Sequence, residues 1–266
     1  MKKLILSALC ACAMIFSSVA SAAAPILDQV IARGELRVGL TGDQPPFNAT
    51  TRDGQLMGFD VDLARAFASA MQLELKIVDM PFGELQKAIE QKKVDMVISG
   101  MAITPSRSLD MAFIGPYMMS GKSILAKSKT LDRLPNTADF NSPNVRVAAL
   151  EKSTSMTFAE RYLPNSKLGT VENYDEAIQQ LLNDKIDIMV ADLPICKLAL
   201  LRHPGKGLTT MKRPLTVEPI GIAMSLEDPQ FVQLADNYLE TFEKMGLLTE
   251  LKDKWFDNGE WVASLR

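Results

Sequence analysis

The sequence is poor in the residues that carry covalent and metal chemistry. Its 266 residues include 3 cysteines, 1 histidine and 2 tryptophans. Cys10 and Cys12 fall in the first dozen residues, so Cys196 stands alone in the body of the chain, and a single cysteine closes no internal disulfide. His203 lies in a polar His203-Pro204-Gly205 loop. No Ser-His-Asp or Cys-His arrangement and no metal-ligand cluster can be built around it. No Gly-rich phosphate loop occurs. No catalytic residue, metal or cofactor is therefore nominated. With 15 glycines and 14 prolines, the chain is neither collagen-like nor of low complexity. An excess of positive charge is also missing: 29 Lys and Arg face 32 Asp and Glu, which argues against nucleic acid as a partner.

One long apolar run is present, at the start. Lys2 and Lys3 precede Leu4 to Phe16, and small residues come next, with Ala20-Ser21-Ala22 or Ala22-Ala23-Ala24 as a cleavage site. The pattern reads as an export signal over residues 1–22, too short and wrongly flanked for a stable membrane span. A retained amino-terminal anchor is the competing reading. A lipid-modified Cys12 fits poorly, because Cys10 stands where a small residue is wanted. Cleavage after Ala22 removes two lysines, leaving 27 basic against 32 acidic residues and a charge of −5.

The whole chain is 47% hydrophobic, and beyond the signal it alternates short apolar strands with helical periodicity. Leu36 to Leu40, Leu73 to Val78 and Val94 to Ser99 read as strands. Phe59, Leu63, Phe67 and Met71 mark one helix face, and Phe82 to Gln91 a second helix. The arrangement recurs in strands at Asn144 to Leu150, Lys167 to Val171 and Ile186 to Ala191, with helices at Thr154 to Leu163 and Tyr174 to Asn183. A shift of 92 aligns Glu84 with Glu176, Lys93 with Lys185 and Asp95 with Asp187. Two similar α/β lobes are expected, each with its own sheet. The tail, with a strand at Ile220 to Met224 and helices at Pro229 to Met245 and Leu247 to Phe256, would return to the first lobe. Two crossings, near Ser120-Gly121 and Val217-Glu218, would form a hinge.

In such sheets ligands collect beyond the carboxyl ends of the strands. Those ends carry Thr41-Gly42-Asp43, Gly100-Met101-Ala102 and Ala191-Asp192. Thr104-Pro105-Ser106-Arg107 reads as a helix start, placing Arg107 in the first turn against the macrodipole. A ligand carboxylate would resolve that conflict, and so would an Arg107–Asp110 surface pair. Asp192 ends an apolar strand, where it is free to meet a ligand ammonium or to cap the segment beginning Leu193-Pro194. Phe47 and Phe82 are either core or the walls of a ligand slot. Ser153 and Thr154 either cap a helix or offer hydroxyl and N–H groups.

These residues occur in a recognisable order. Gly34-Glu35-Leu36-Arg37-Val38-Gly39, Pro45-Pro46-Phe47 and Gly58-Phe59-Asp60-Val61-Asp62-Leu63 precede Ser99-Gly100-Met101-Ala102-Ile103-Thr104-Pro105-Ser106-Arg107 and Pro116-Tyr117; Gly221-Ile222-Ala223 and Lys254-Trp255-Phe256 close the chain. Together they resemble the polar amino-acid-binding proteins of ABC importers, family 3 of the bacterial extracellular solute-binding proteins. The resemblance implies an α/β, two-lobed periplasmic-binding-protein fold of type II, each lobe a central, mostly parallel sheet flanked by helices, with a two-strand hinge. Lobe 1 would comprise residues 23–119 and 218–266, and lobe 2 residues 120–217. It further implies a periplasmic monomer that takes a small-molecule amino acid to an importer permease. On that resemblance Arg107 grips the ligand α-carboxylate and Asp192 takes the α-ammonium. Gly100 and Ala102 give backbone groups, Ser153 and Thr154 help hold the carboxylate, and Phe47 and Phe82 border the ligand. Asp43 and Gln44, beyond the end of the first strand, are further ligand-binding candidates.

Three positions depart from the family pattern. Gln44 replaces an aromatic, Ala102 replaces Ser or Thr, and Lys152 stands where Gly is usual. Gln44 and Lys152 point to a polar or acidic ligand side chain, the alternative for Lys152 being a side chain directed into solvent. The fold also hosts a secreted cyclohexadienyl dehydratase, whose general-acid glutamate maps here to Ile195, which donates no proton. A secreted ligand sensor is a further reading.

Overall fold

The computed structural model describes residues 25–134 and 136–265. The export signal expected over residues 1–22 lies outside the described residues. In chain order the first elements are α1 (Ile26–Arg33), β1 (Glu35–Leu40), β2 (Asp43–Gln44), β3 (Asn48–Thr50), β4 (Leu56–Met57), α2 (Phe59–Ala70), β5 (Glu74–Asp79), α3 (Leu85–Glu90), β6 (Met96–Val97) and β7 (Ala112–Ser120). Next come β8 (Lys122–Lys127), α4 (Ser128–Arg133), β9 (Arg146–Leu150), α5 (Thr154–Tyr162), β10 (Lys167–Val171), α6 (Tyr174–Leu182), β11 (Ile188–Asp192), α7 (Leu193–Arg202) and β12 (Leu208–Thr210). The last are β13 (Glu218–Met224), α8 (Pro229–Lys244) and α9 (Leu247–Lys252).

Two five-stranded sheets result, ordered β5-β1-β6-β13-β7 and β10-β9-β11-β8-β12, with a small sheet β2-β3-β4 beside the first. β13 runs antiparallel to both its neighbours, and so does β8. Each sheet therefore has four strands pointing one way and one reversed. The two reversed strands are the ones entered directly after a passage between sheets: the chain leaves β7 at Ser120 for β8 at Lys122, and re-enters the first sheet at Glu218 in β13.

The apolar faces meet as their periodicity requires. Leu63 and Phe67 of α2 pack with Leu36 and Val38 of β1, Ile222 of β13, and Phe231 and Phe242 of α8 in one core. In the second lobe Val147, Ala149, Ile188 and Val190 pack with Ala159 of α5. A third cluster includes residues of both lobes, Phe82, Leu85 and Val97 with Tyr174, Ile178 and Met189. The lobes are thus closed on one another.

The internal repeat has a physical basis at its identical aspartates. Asp95 accepts the Arg37 N–H at 2.7 Å and pairs with Arg33, while Asp187 accepts the Arg146 N–H at 3.0 Å and pairs with Arg146 and Arg133. Each carboxylate thereby ties the loop after a helix to the start of the adjacent strand. The helix expected from Phe82 opens with a tight 3-10 turn, Phe82–Glu84, before α3. The closing helix is α only to Lys252 and then widens over Asp253–Asp257. Among the described residues, no helix is long and apolar enough to cross a membrane.

Candidate functional site

Arg107 sits where the two lobes face each other. Thr104 Oγ1 accepts its backbone N–H at 3.2 Å, as the capping pattern anticipates, but the cap opens only a single 3-10 turn, Arg107–Leu109. One turn has too few aligned peptides for a macrodipole, so the anticipated conflict of charge and dipole does not arise. The guanidinium is oriented instead by its neighbours. Nη1 donates to the Ala102 carbonyl at 2.9 Å, Nη2 donates across the cleft to the Lys152 carbonyl at 3.2 Å, and the group lies 5.5 Å from the Phe82 ring centroid. It reaches these partners rather than Asp110. Burial lowers its pKa, and the charges of Glu218 and Asp192 oppose that shift.

Asp192 is not the unpaired carboxylate that its place in the sequence suggests, and its side chain makes no capping bond to α7. Both its oxygens accept from Lys122 Nζ, at 3.1 and 3.2 Å, and Oδ1 also accepts from Ser120 Oγ at 3.2 Å. Lys122 is 2% exposed and lies 3.1 Å from Glu218 Oε2 as well. Glu218 in turn accepts from Thr154 Oγ1 at 2.8 Å and Thr216 Oγ1 at 3.0 Å. The geometry arises from strand register, since Lys122 opposes Asp192 across β8–β11 and Glu218 opposes Ser120 across β13–β7. A buried ion cluster therefore occupies the place where the chain passes between sheets. Burial still raises the Asp192 pKa, and Lys122 is the largest influence opposing that rise.

The remaining candidates divide by what they already bond. Ser153 caps α5, accepting the Met156 N–H at 3.2 Å and donating to the Leu150 carbonyl at 2.6 Å. Thr154 is committed to Glu218. Gly100, at φ +56, gives its N–H to the Tyr117 hydroxyl at 3.2 Å, so that backbone donor is already used. The Ala102 carbonyl holds Arg107. Phe47 packs edge-to-face on Phe256 with ring centroids 5.2 Å apart, while Phe82 underlies the guanidinium. Lys152, at φ +55, occupies a conformation that favours glycine, and its Nζ reaches 3.5 Å from the Gly83 carbonyl of the opposite lobe.

Gln44 and Asp43 remain. Gln44 is buried, and its Nε2 has no hydrogen-bond partner among the described residues. A buried amide donor without an acceptor is costly unless something else supplies one. Burial, with a smaller contribution from Asp175, raises the Asp43 pKa to about 6. Asp43 opens on a hollow of ≈ 270 Å³ shared with Asp175 and Arg202. Another, ≈ 430 Å³, is lined by Met119, Leu193, Leu198, Trp255 and Trp261, and neither includes Arg107, Gln44 or Asp192 in its lining.

Sequence reasoning missed the roles of Lys122 and Glu218, and the network beneath the first-lobe wall. In that network Asp60, wholly buried, accepts from Tyr117 at 2.8 Å and from Asn48 at 2.9 Å, and burial raises its pKa to about 6. Asn48 Oδ1 accepts the Gly42 N–H at 2.7 Å and the Thr41 hydroxyl at 2.9 Å, fixing the loop that presents Asp43 and Gln44.

This fold, with polar strand ends facing each other across a hinge, can be set against known proteins. The family model for bacterial extracellular solute-binding proteins, family 3, matches residues 36–258. The chain belongs to that family. Among family relatives, ABC transporter arginine-binding protein 1 of Escherichia coli K12 is 29% identical over 96% of this chain and 99% of its own. A cyclohexadienyl dehydratase of Pseudomonas aeruginosa is 25% identical over 95% and 94%. Among solved structures, an ancestral amino acid-binding protein, a precursor of cyclohexadienyl dehydratase, matches with a TM-score of 0.81 at 35% identity, over 88% of this chain and 100% of that one.

Proposed function

We propose that this chain is the solute-capturing receptor of an ABC importer, taking a polar amino acid or a related small carboxylate between its lobes. The closed form would then be presented to a membrane permease. The observation that carries the reading is Arg107, a cation held between two backbone carbonyls of opposite lobes, with N–H groups to spare for a carboxylate. Contacts of that kind form only when both lobes are together, so a ligand bridging them shifts the population toward closure. The arginine-binding relative supports the same reading. We take residues 23–119 with 218–266 as one lobe and 120–217 as the other. The Lys2-Lys3 and Ala20-Ser21-Ala22 pattern supports export to the periplasm, and we take the working unit as a monomer without cofactor.

The dehydratase relative favours a second reading, catalysis on the same fold. Against it stands Ile195, buried in the apolar cluster of α7 where that enzyme family places its proton donor. Titration calorimetry against amino acids and small carboxylates tests the receptor reading: a saturable 1:1 isotherm is expected. Formation of phenylpyruvate from prephenate would instead favour the enzyme.

A further inference from the structure

We propose that the cleft is built for a carboxylate that lacks an α-ammonium, such as a 2-oxo acid, and that Lys122 supplies from within the chain the cation an amino acid would bring. The inference rests on the receptor reading and narrows its ligand class.

The acids at the hinge end of the cleft are already satisfied. Asp192 accepts from Lys122 through both oxygens and from Ser120, and Glu218 is ion-paired with Lys122 and accepts from Thr154 and Thr216. The Lys122 ammonium has three carboxylate oxygens within 3.2 Å, two of Asp192 to which it donates and one of Glu218 with which it is ion-paired. A ligand ammonium arriving at Asp192 would set a second cation against a buried lysine, an arrangement that disfavours both charges. The cluster has one surplus negative charge, two acids against one lysine. That surplus is faced by Arg107, whose charge interacts with both Glu218 and Asp192, so no cation from a ligand is needed to meet it.

The unused capacity points the other way, toward acceptors. Gln44 Nε2 is buried without an acceptor among the described residues, and Arg107 commits two of its five N–H groups to carbonyls. Asp43, at the first-lobe wall, opens on the separate hollow it shares with Asp175 and Arg202. The open valences therefore suit a carboxylate with a further oxygen acceptor, and they offer little to an ammonium.

Matched pairs test this: 2-oxoglutarate with L-glutamate, phenylpyruvate with L-phenylalanine, and 2-oxoisovalerate with L-valine, each titrated calorimetrically into the full-length mature protein. The 2-oxo acid of the best-binding pair should bind at least tenfold more tightly than its amino acid. In Lys122→Gln that ratio should fall at least tenfold. Should Lys122→Gln fail to fold, Lys122→Gln/Glu218→Gln, which restores the original charge of the cluster, takes its place. A wild-type ratio of one or below, or a ratio unmoved in the folded variant, overturns the inference. If the amino acid is preferred and Arg107→Ala abolishes its binding, the Lys122 inference falls and the receptor reading stands. If no pair binds, this inference falls, and the receptor reading is decided separately by the wider panel of amino acids and small carboxylates.

Discussion

Lys122 and Asp192 are direct partners in the β8–β11 ladder, and the lysine ammonium lies 3.1 and 3.2 Å from the two carboxylate oxygens. With both side chains buried, neither can be solvated if the other is lost. Lys122→Met keeps the length of the side chain and leaves Asp192 and Glu218 facing each other without a cation. Breaking a buried pair from one side costs about 3–5 kcal/mol, so urea unfolding should show a loss in that range. A loss below about 1 kcal/mol would mean that water already reaches the cluster.

Arg107 is the cation with donors left over, and its removal should be felt in binding more than in folding. Charge-assisted hydrogen bonds contribute about 1.5–3 kcal/mol, so Arg107→Ala should weaken the best ligand tenfold or more by calorimetry. The fold should tolerate the change, because the bonds given up are to the Ala102 and Lys152 carbonyls near the cleft mouth. Unchanged affinity would place the ligand elsewhere.

The fold was largely readable because its signals are periodic. Phe59, Leu63 and Phe67 recur at helical spacing, and each is buried on one side of α2. The match of Asp95 with Asp187 was legible as an identity, although its meaning, a carboxylate tying a neighbouring strand's N–H, needed coordinates. The run from Ala112 to Lys127 hid its structure. Only Gly121 separates two strands that belong to different sheets, and side-chain alternation carries no record of which sheet a strand joins. Lys122 was missed for the same reason. Beside Ser123 to Ala126 a lysine reads as a strand end in water, and only the register with β11 turns it toward Asp192. Gln44 was legible as a departure from the family pattern, while its orphaned amide was not.

Closure should respond to pH through Asp43. In the closed lobes its carboxyl has a pKa of about 6, raised by burial and then by Asp175, against about 4 for a solvated aspartate. The closed form therefore binds a proton that the open form releases between roughly pH 4 and 6. Lowering the pH from 7.5 to 5 should favour closure, and raising it again should lose that contribution. Arg202 lines the same hollow and is paired with Asp175. Asp60, also raised to about 6, is held by Asn48 and Tyr117 within the first lobe, so it bears on unfolding and leaves closure unaffected. Small-angle scattering of the ligand-free protein should show a smaller radius of gyration at pH 5 than at pH 7.5. In Asp43→Asn the difference should vanish, and a persisting difference would assign it to another group.

The passage between sheets depends on Gly121 having no side chain. A Cβ built there would lie 1.9 Å from the Thr216 carbonyl oxygen and 2.8 Å from Pro214 Cβ, because the outgoing and returning segments run against each other. The neighbouring bonds, Lys122 N–H to Thr216 Oγ1 at 2.8 Å and Leu215 N–H to the Lys122 carbonyl at 2.7 Å, leave little freedom to separate them. Gly121→Ala must push the segments apart, and the same movement draws Thr216 and Glu218 away from Lys122. Overpacking of this kind costs about 1–3 kcal/mol, and here it should also change ligand affinity, because the ion cluster shifts with the strands. Gly259→Ala, where an added Cβ would meet nothing within 4 Å, is the control and should stay within about 0.5 kcal/mol. Equal stability of the two variants in urea would mean that the crossing segments are loosely packed and do not constrain the hinge.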